Sequence, residues 1–499
     1  MGSRDLVVLE RQLGRWSAGT GALYQKLATG LMRLIREGVL VPGARLPSER
    51  RLAEALTLSR TTVVAAYDSL HEAGWVDRRA GSSTSVSPTS PVVLAARAAA
   101  RATALVSSPL LDLLADKDHG LVDFALGAPL PLASLALDDL ELSRAEYVTA
   151  MADGHYHPLG LPALREAIAA SYTAAGLETD ARQVLVTTGA QQAINLCAMA
   201  YLQRGDTVLV EDPTYFGALD AFRLAGARLA SVPAGPRGAD PTLLRTRTVA
   251  SAPRLIYLSP TFQNPTGGVM PPAARERVAA LARETGVPVV EDATLADLAF
   301  DGAAPKPLAA YASEAPIITI GSLSKVAWPG LRIGWVRGPI SLIPTLARVK
   351  SVMDLGSPSL TQAVAVRLLA RFERIRTLRR EQLRPRRDTL VRLLRRVLPE
   401  WRFTVPAGGL FLWVELPSGD AQEFAQVALG RGVVIVPGTV FSHEGQYERF
   451  VRLSVPRRAR GARGRCRTLA GCVGGLSRRG HTPGRGCGRH GLTIVPSSY

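Results

Sequence analysis

The sequence predicts an α/β protein in two parts: a small helical unit closed by a hairpin, then a large body built on a mostly parallel sheet. Three observations carry this. Residues 20–86 read as three short helices ending in a pair of short strands. From residue 121 to 456, the runs "VLVTT", "TVLVED", "RLIYLSP", "VPVVED", "IITIGSLS" and "RIGWVRG" alternate with helical patterns. Their near-continuous apolar character suits strands buried on both faces, with helices covering a parallel sheet. Between the two parts, residues 87–120 are rich in Pro, Ser and Ala and carry no strong amphipathic pattern, which marks a tether.

The front unit begins with "LYQKLATGLMRLIREG", which places Tyr24, Leu27, Leu31, Leu34 and Ile35 on one helical face and stops at Gly38. "LPSERRLAEAL" starts a second helix with Ser48 at its N-cap and Leu52, Ala55 and Leu56 inward. "LSRTTVVAAYDSLHEAG" starts a third, capped by Ser59, with Val63, Tyr67 and Leu70 on one face and Gly74 at its end. The second and third helices meet across a very short turn, as in a helix-turn-helix. "WVDRRAGSSTSVS" then suits two strands around Gly81, with Arg78 and Arg79 on the hairpin.

The chain of 499 residues has length for several domains, and its 47 % hydrophobic content suits globular cores. The polar start "MGSRDLVVLE" has no apolar signal region, and no stretch approaches the length of a membrane span, so the expectation is a soluble cytoplasmic protein. The net charge is +18, but ten arginines in residues 457–499 supply more than half of it, so charge alone does not argue for nucleic acid. That tail, dominated by Arg and Gly, shows no periodicity; disorder is expected, or the product of a reading frame shifted near residue 456. The four cysteines form no CxxC pair, and no metal site is expected.

The motifs divide the same way. Arg60, Thr61 and Thr62 open the third helix, where they can donate to base edges and phosphates. Ser48 and Arg50 open the second, where N–H groups and a guanidinium can meet a phosphate. The plainer reading is a helical module that packs only on protein; the basic hairpin favours DNA. In the body, "VTTGAQQAINL" puts Gly189, Ala190 and Gln191 at a strand-to-helix junction that can cradle a phosphate. "SPTFQNPTGG" sets Asn264 in a turn after a strand, and "VVEDATLADL" ends a buried strand in Glu291 and Asp292. "SLSKVAWPGLRIGW" supplies Lys325 at a strand end, with Ser322 and Arg332 nearby as phosphate ligands. A desolvated lysine is an amine nucleophile toward an aldehyde. "FVRLSV" places Arg452 in a strand, where its planar fork can take a carboxylate. Singly, Asp292 reads as a structural carboxylate, Arg452 as a surface partner and Lys325 as an exposed charge. Their joint occurrence in this order argues for a cofactor. The arginines of residues 358–398 read as solvated helix faces.

The front unit resembles the GntR family of winged helix-turn-helix domains across residues 21–86, through "G.L.PG.RLPSER.LA..L..SR.T...AY..L...G". The resemblance implies that Arg50, Arg60, Thr61, Thr62 and the Gly81 turn contact DNA. Residues 120–456 resemble fold-type I aminotransferases that use pyridoxal 5′-phosphate, through "YHPLGLPALREAIA", "TTGAQQA", "EDPTYFG", "QNPTGG", "VVED", "SLSKVAWPGLRIGW" and "VRLSV". By this resemblance Lys325 forms the Schiff base and Asp292 pairs with the pyridine nitrogen. Asn264 binds the ring oxygen and Tyr215 stacks on the ring. Gly189, Ala190, Gln191, Ser322 and Arg332 hold the phosphate, and Tyr156 reaches the phosphate of a neighbouring subunit. Arg452 holds an amino-acid carboxylate. One chain with both parts resembles the MocR subfamily of GntR-type regulators, which implies a homodimer, often domain-swapped. It also implies a regulator of double-stranded DNA that senses pyridoxal phosphate, an amino-compound effector, or both. The alternative is a working aminotransferase with an appended DNA-binding domain. One departure bears on it: two positions after Asp292 the family commonly has a tyrosine, and here stands Thr294.

Overall fold

A computed structural model describes residues 21–36, 43–78, 84–87, 122–129, 140–151, 155–302 and 304–455, together with residues 9, 13, 16, 17 and 40. Gly38, the Gly81 turn, Arg79, nearly all of the tether and the whole Arg/Gly-rich tail lie outside these residues. The chain falls into two compact units, Met1–Ser108 and Pro109–Tyr499.

In the first unit, helix α1 spans Leu23–Arg36, α2 Glu49–Leu56 and α3 Arg60–Glu72. Leu27, Leu31, Leu34 and Ile35 of α1 pack with Val63, Tyr67 and Leu70 of α3 in one buried cluster. Each such side chain contributes about 2 kcal/mol by leaving water. Helix α2 turns a slightly different face inward than its pattern suggests: Leu52 and Ala53 are buried, while Ala55 and Leu56 are half-buried. Thr57 ends α2 in the left-handed region, at φ 53°. Ser59 then caps α3 by accepting from the Thr62 N–H at 3.1 Å. Tyr67, fully buried, donates to the Pro47 carbonyl at 2.9 Å and ties α3 to the approach of α2. Strands β1 (Val76–Asp77) and β2 (Ser85–Val86) pair antiparallel as the expected hairpin.

The second unit opens with β3 (Val122–Asp123). Its large sheet comprises β4 (Val184–Thr187), β5 (Thr207–Asp212), β6 (Arg228–Gly235), β7 (Gly238–Ala239), β8 (Leu255–Leu258), β9 (Val289–Asp292), β10 (Ile317–Ser322) and β11 (Gly334–Arg337). The order is β4-β11-β10-β9-β8-β5-β6-β7. Strands β10, β9, β8, β5 and β6 run parallel, whereas β11 lies antiparallel to both its neighbours. Helices Ala190–Tyr201 and Phe216–Leu224 cover one face with Val290, Ile318 and Ile320. Helix Pro272–Thr285 covers the other with Val289 and Ile317. Side chains alternate along a strand, so the two carboxylates ending β9 part company. Asp292 joins the first face and Glu291 the second.

A smaller sheet follows, with β12 (Arg402–Phe403), β13 (Phe411–Glu415), β15 (Val436–Pro437) and β16 (Phe450–Ser454) in the order β12-β13-β16-β15; β14 (Val433–Val434) pairs with β3 instead. The long helix Phe372–Val397 leads into it. Two arginines of that helix depart from the expected solvated face: Arg379 is fully buried and Arg387 nearly so. Arg379 donates from Nε to the Val326 carbonyl at 2.8 Å and from Nη2 to that of Ala327. Arg387 reaches the Pro406 carbonyl at 2.6 Å. Their cost of burial is offset by backbone acceptors that have lost water too.

Candidate functional site

On the first unit, the start of α3 is open to solvent. Arg60 and Thr61 are exposed, and so are Ser48 and Arg50 at the start of α2. Thr62 is half-buried, and its hydroxyl lies 2.7 Å from that of Ser59, inside the cap. Ser48 takes the N-cap position with extended backbone, but its side chain makes no cap hydrogen bond, which leaves its hydroxyl to other partners. Glu49 accepts from Arg60 at 3.3 Å and also from Arg78, while Arg50 pairs with Glu54 at 3.1 Å. Side chains of Arg50 and Arg60 are 85 % and 72 % exposed, so these pairs are weak competitors to a phosphate.

In the second unit, the ends of β4, β9 and β10 converge. Gly189 sits between β4 and helix Ala190–Tyr201 at φ 118°, ψ 172°, a conformation nearly restricted to glycine. A Cβ there would stand 2.9 Å from Arg332 Nη2, so the bare backbone and the guanidinium share one small space at the helix N-terminus. Gln191 donates to the Gly217 carbonyl at 2.8 Å and accepts from the Tyr215 hydroxyl at 3.1 Å. Burial raises the Tyr215 phenol.

Lys325 lies in a one-turn helix, Leu323–Val326, directly after β10 rather than in the strand itself. Ser322 caps that turn by accepting from the Ser324 N–H at 3.2 Å, while the Ser324 hydroxyl is buried without a partner among the described residues. The Lys325 amine donates to the Gly127 carbonyl at 2.7 Å. Burial, reinforced by Arg452 and Arg332 and opposed by Asp292, pulls its pKa down to about 8.

Asp292 accepts from the Tyr257 hydroxyl at 2.6 Å, and from the hydroxyl and N–H of Thr294 at 2.7 and 3.0 Å. Three donors on two elements fix its plane. Thr294 is therefore employed as a brace on Asp292.

Arg452, 2 % exposed, donates to Asn264 Oδ1 at 3.0 Å and to the Ala125 carbonyl, while its Nε is buried without a partner among the described residues. Its guanidinium lies 4.1 Å from the Phe411 ring centre and 4.9 Å from that of Phe441. Burial pulls its pKa down to about 9.

One chain thus brings together Lys325, Asp292, Asn264, Tyr215, Gly189, Ala190, Gln191, Ser322, Arg332 and Arg452. Tyr156 stands apart on the surface, 76 % exposed. Sequence reading missed Tyr257, Gly127, Ala125 and Arg379. Nothing in "FALGAPLP" marks a loop whose carbonyls hold both Lys325 and Arg452. A Cβ on Gly127 would stand 2.1 Å from the Phe411 ring, so that loop can lie so close only as glycine.

Residues 146–461 match the aminotransferase class I and II family, and residues 23–86 match the gntR family of bacterial regulatory proteins. An uncharacterized HTH-type transcriptional regulator of Bacillus subtilis, YisV, is 31 % identical over 452 residues, covering 87 % of this chain and 92 % of that protein. The 2-aminoadipate transaminase of Thermus thermophilus is 40 % identical over 282 residues, covering 54 % of this chain and 70 % of that enzyme. Among solved structures, α-aminoadipate aminotransferase LysN from Thermus thermophilus, complexed with N-(5′-phosphopyridoxyl)-L-leucine, superposes with a TM-score of 0.68 at 34 % identity. That match covers 76 % of this chain and 97 % of the enzyme.

Proposed function

The chain belongs to the aminotransferase class I and II family and carries a gntR-family DNA-binding domain at its front, and from this premise we propose that it is a transcriptional regulator whose aminotransferase-like unit reads an amino compound through pyridoxal 5′-phosphate. The observation that carries the reading is a pairing within one chain. An exposed helix start with Arg60 and Thr61 precedes a half-buried lysine, Lys325, whose pKa desolvation pulls down to about 8 beside Asp292.

The residues present fit the cofactor. Gly189 leaves a bare helix N-terminus under Arg332, and among the described residues the buried hydroxyl of Ser324 and the Nε of Arg452 lack partners that a bound ligand can supply. In this reading the N–H groups of Gly189, Ala190 and Gln191, with Ser322 and Arg332, hold the phosphate. Asp292, oriented by Tyr257 and Thr294, would pair with the pyridine nitrogen. Asn264 would take the ring oxygen, and Tyr215 would stack on the ring. The bound cofactor supplies an aldehyde that captures amines and a ring that withdraws electrons. Lys325 contributes the resident amine: burial keeps a useful fraction of it unprotonated at neutral pH. Arg452 holds the effector's carboxylate in a bidentate fork, and the aromatic rings around it exclude water. Tyr156 contributes to the site of a second copy in a homodimer, domain-swapped as in many members of the MocR subfamily. The DNA-binding unit would act in the cytoplasm, through Ser48, Arg50, Arg60, Thr61, Thr62 and the Gly81 turn.

An appended but working aminotransferase is the second reading, favoured by the identity to the Thermus transaminase and by the polar groups gathered around Lys325, while Thr294 in place of the family's usual tyrosine counts against it. Purified protein is the test. Under the regulator reading it binds pyridoxal phosphate with a visible absorbance that Lys325→Ala abolishes, and it retains DNA fragments of defined sequence. Sustained amino transfer between an amino acid and a keto acid, without selective DNA retention, would replace it by the enzyme reading.

A further inference from the structure

The geometry points to a second small-molecule site: a cavity of about 530 Å³ on the face of the large sheet opposite Asp292, shaped for an aromatic carboxylate. Its size lies in the range of small-ligand pockets. Its floor is Glu291 and Thr319, the residues whose side chains leave β9 and β10 on the far face, with Gly321 beside them.

Gly321 makes the aromatic wall possible. A Cβ there would meet the Trp335 ring at 2.2 Å, so the indole lies flat over the strand only because that position is bare. Trp335 Nε1 donates to the Tyr172 hydroxyl at 3.0 Å, and that hydroxyl's own proton has no acceptor among the described residues. Phe372 lines the cavity from the long helix, with the Arg376 guanidinium 4.2 Å from its ring centre.

The charges decide the ligand's sign. Glu291 is already served by Arg275 at 3.6 Å, by the Leu308 N–H at 3.0 Å and by Thr319 at 3.0 Å. Asp297 and Glu373 both accept from Arg376. Lys306 makes no ion pair among the described residues. Among the described residues Arg380 spends only Nε, on the Ala299 carbonyl at 3.2 Å. With Glu291 balanced by Arg275, the lining sets Lys306, Arg376 and Arg380 against Asp297 and Glu373, an excess of one positive charge, and it stands beside aromatic surface and a free phenolic donor. An aromatic body carrying one carboxylate uses all three.

Such a ligand would bear on the Lys325 site from behind. Glu291 adjoins Asp292, Gly321 adjoins Ser322, and Arg376 and Arg380 flank Arg379, which holds the carbonyls just after Lys325. The proposal stands whether the protein is a regulator or an enzyme.

Calorimetric titration of the full chain with indole-3-propionate, which has neither amine nor keto group, tests it. Binding of one equivalent is expected, unchanged in Lys325→Ala and Arg452→Ala. It should weaken about tenfold or more in the Lys306→Ala/Arg380→Ala double variant, whose two side chains can be removed without opening the core. Filling the cavity by Ala296→Trp should abolish it. No detectable binding to the full chain would overturn the proposal. So would binding that Arg452→Ala removes and the double variant keeps, because the acid would then occupy the site around Lys325.

Discussion

Arg452 Nη1 donates to Asn264 Oδ1 across 3.0 Å, joining two residues 188 positions apart. In the proposed site one holds the effector's carboxylate and the other the cofactor's ring oxygen, so their contact fixes the distance between the two ligands. Replacing Arg452 by Lys keeps a charge but loses the fork and the contact with Asn264. Affinity for an amino-acid effector should fall about tenfold to a hundredfold, as expected for one charge-assisted pair. Affinity for pyridoxal phosphate alone should change little. Titrating each ligand separately into Arg452→Lys checks this.

The pH dependence of effector capture follows from Lys325. It must lose its proton to act as a nucleophile, and its pKa is pulled down to about 8. Arg452 must keep its proton to bind a carboxylate; burial pulls its pKa down, but a guanidinium stays protonated across this range. Covalent uptake of pyridoxal phosphate alone and capture of a carboxylate-bearing effector should therefore both rise with pH and level off above about 8. Stopped-flow absorbance across pH 6 to 10 reads the rise. A rise that continues toward the ordinary lysine range would show Lys325 to be solvated.

Gly189→Ala should weaken phosphate binding without disturbing the fold elsewhere. The new Cβ meets Arg332 Nη2, a movable group, so sterics alone are tolerable. The backbone at φ 118° is not, and about 1–3 kcal/mol of strain is expected. Relaxing it moves the N–H groups proposed to hold the phosphate. Equilibrium dialysis with pyridoxal phosphate, beside a thermal melt, separates the two effects.

Thr294→Val removes one of three donors to Asp292 and keeps the shape of the side chain. A loss of about 1 kcal/mol is expected, seen as a few-fold weaker hold on the cofactor. Tyr257→Phe should do the same from the other side, and the double variant should lose more than the sum. The spectrum of the bound cofactor in the three variants checks whether both hydroxyls act through Asp292.

Much of this arrangement was legible in the sequence because its signals are local. The cap at Ser59, the glycine at a strand-to-helix junction and the lysine just past a strand each follow from a few neighbouring residues. The front unit, with its α-helical periodicity, was legible for the same reason. What stayed hidden depends on contacts between distant segments. The Gly127 carbonyl reaches Lys325 across 198 positions, and Tyr257 reaches Asp292 across 35. Arg379 read as one arginine among many on a basic helix, yet it is buried against the backbone after Lys325, because only tertiary packing decides which face of that helix is covered. The antiparallel direction of β11 was hidden too, since apolar runs do not encode strand direction. Thr294 read only as a departure from the family's usual tyrosine, whereas its hydroxyl is spent on Asp292.

The most direct measurement compares the DNA sites protected by the purified protein with and without pyridoxal phosphate and an amino-acid effector, in the wild type and in Lys325→Ala. Protection whose extent or affinity changes on adding the ligands, and does not change in Lys325→Ala, is the expected result. Identical protection under all conditions, in a protein that turns over amino and keto acids continuously, would contradict it.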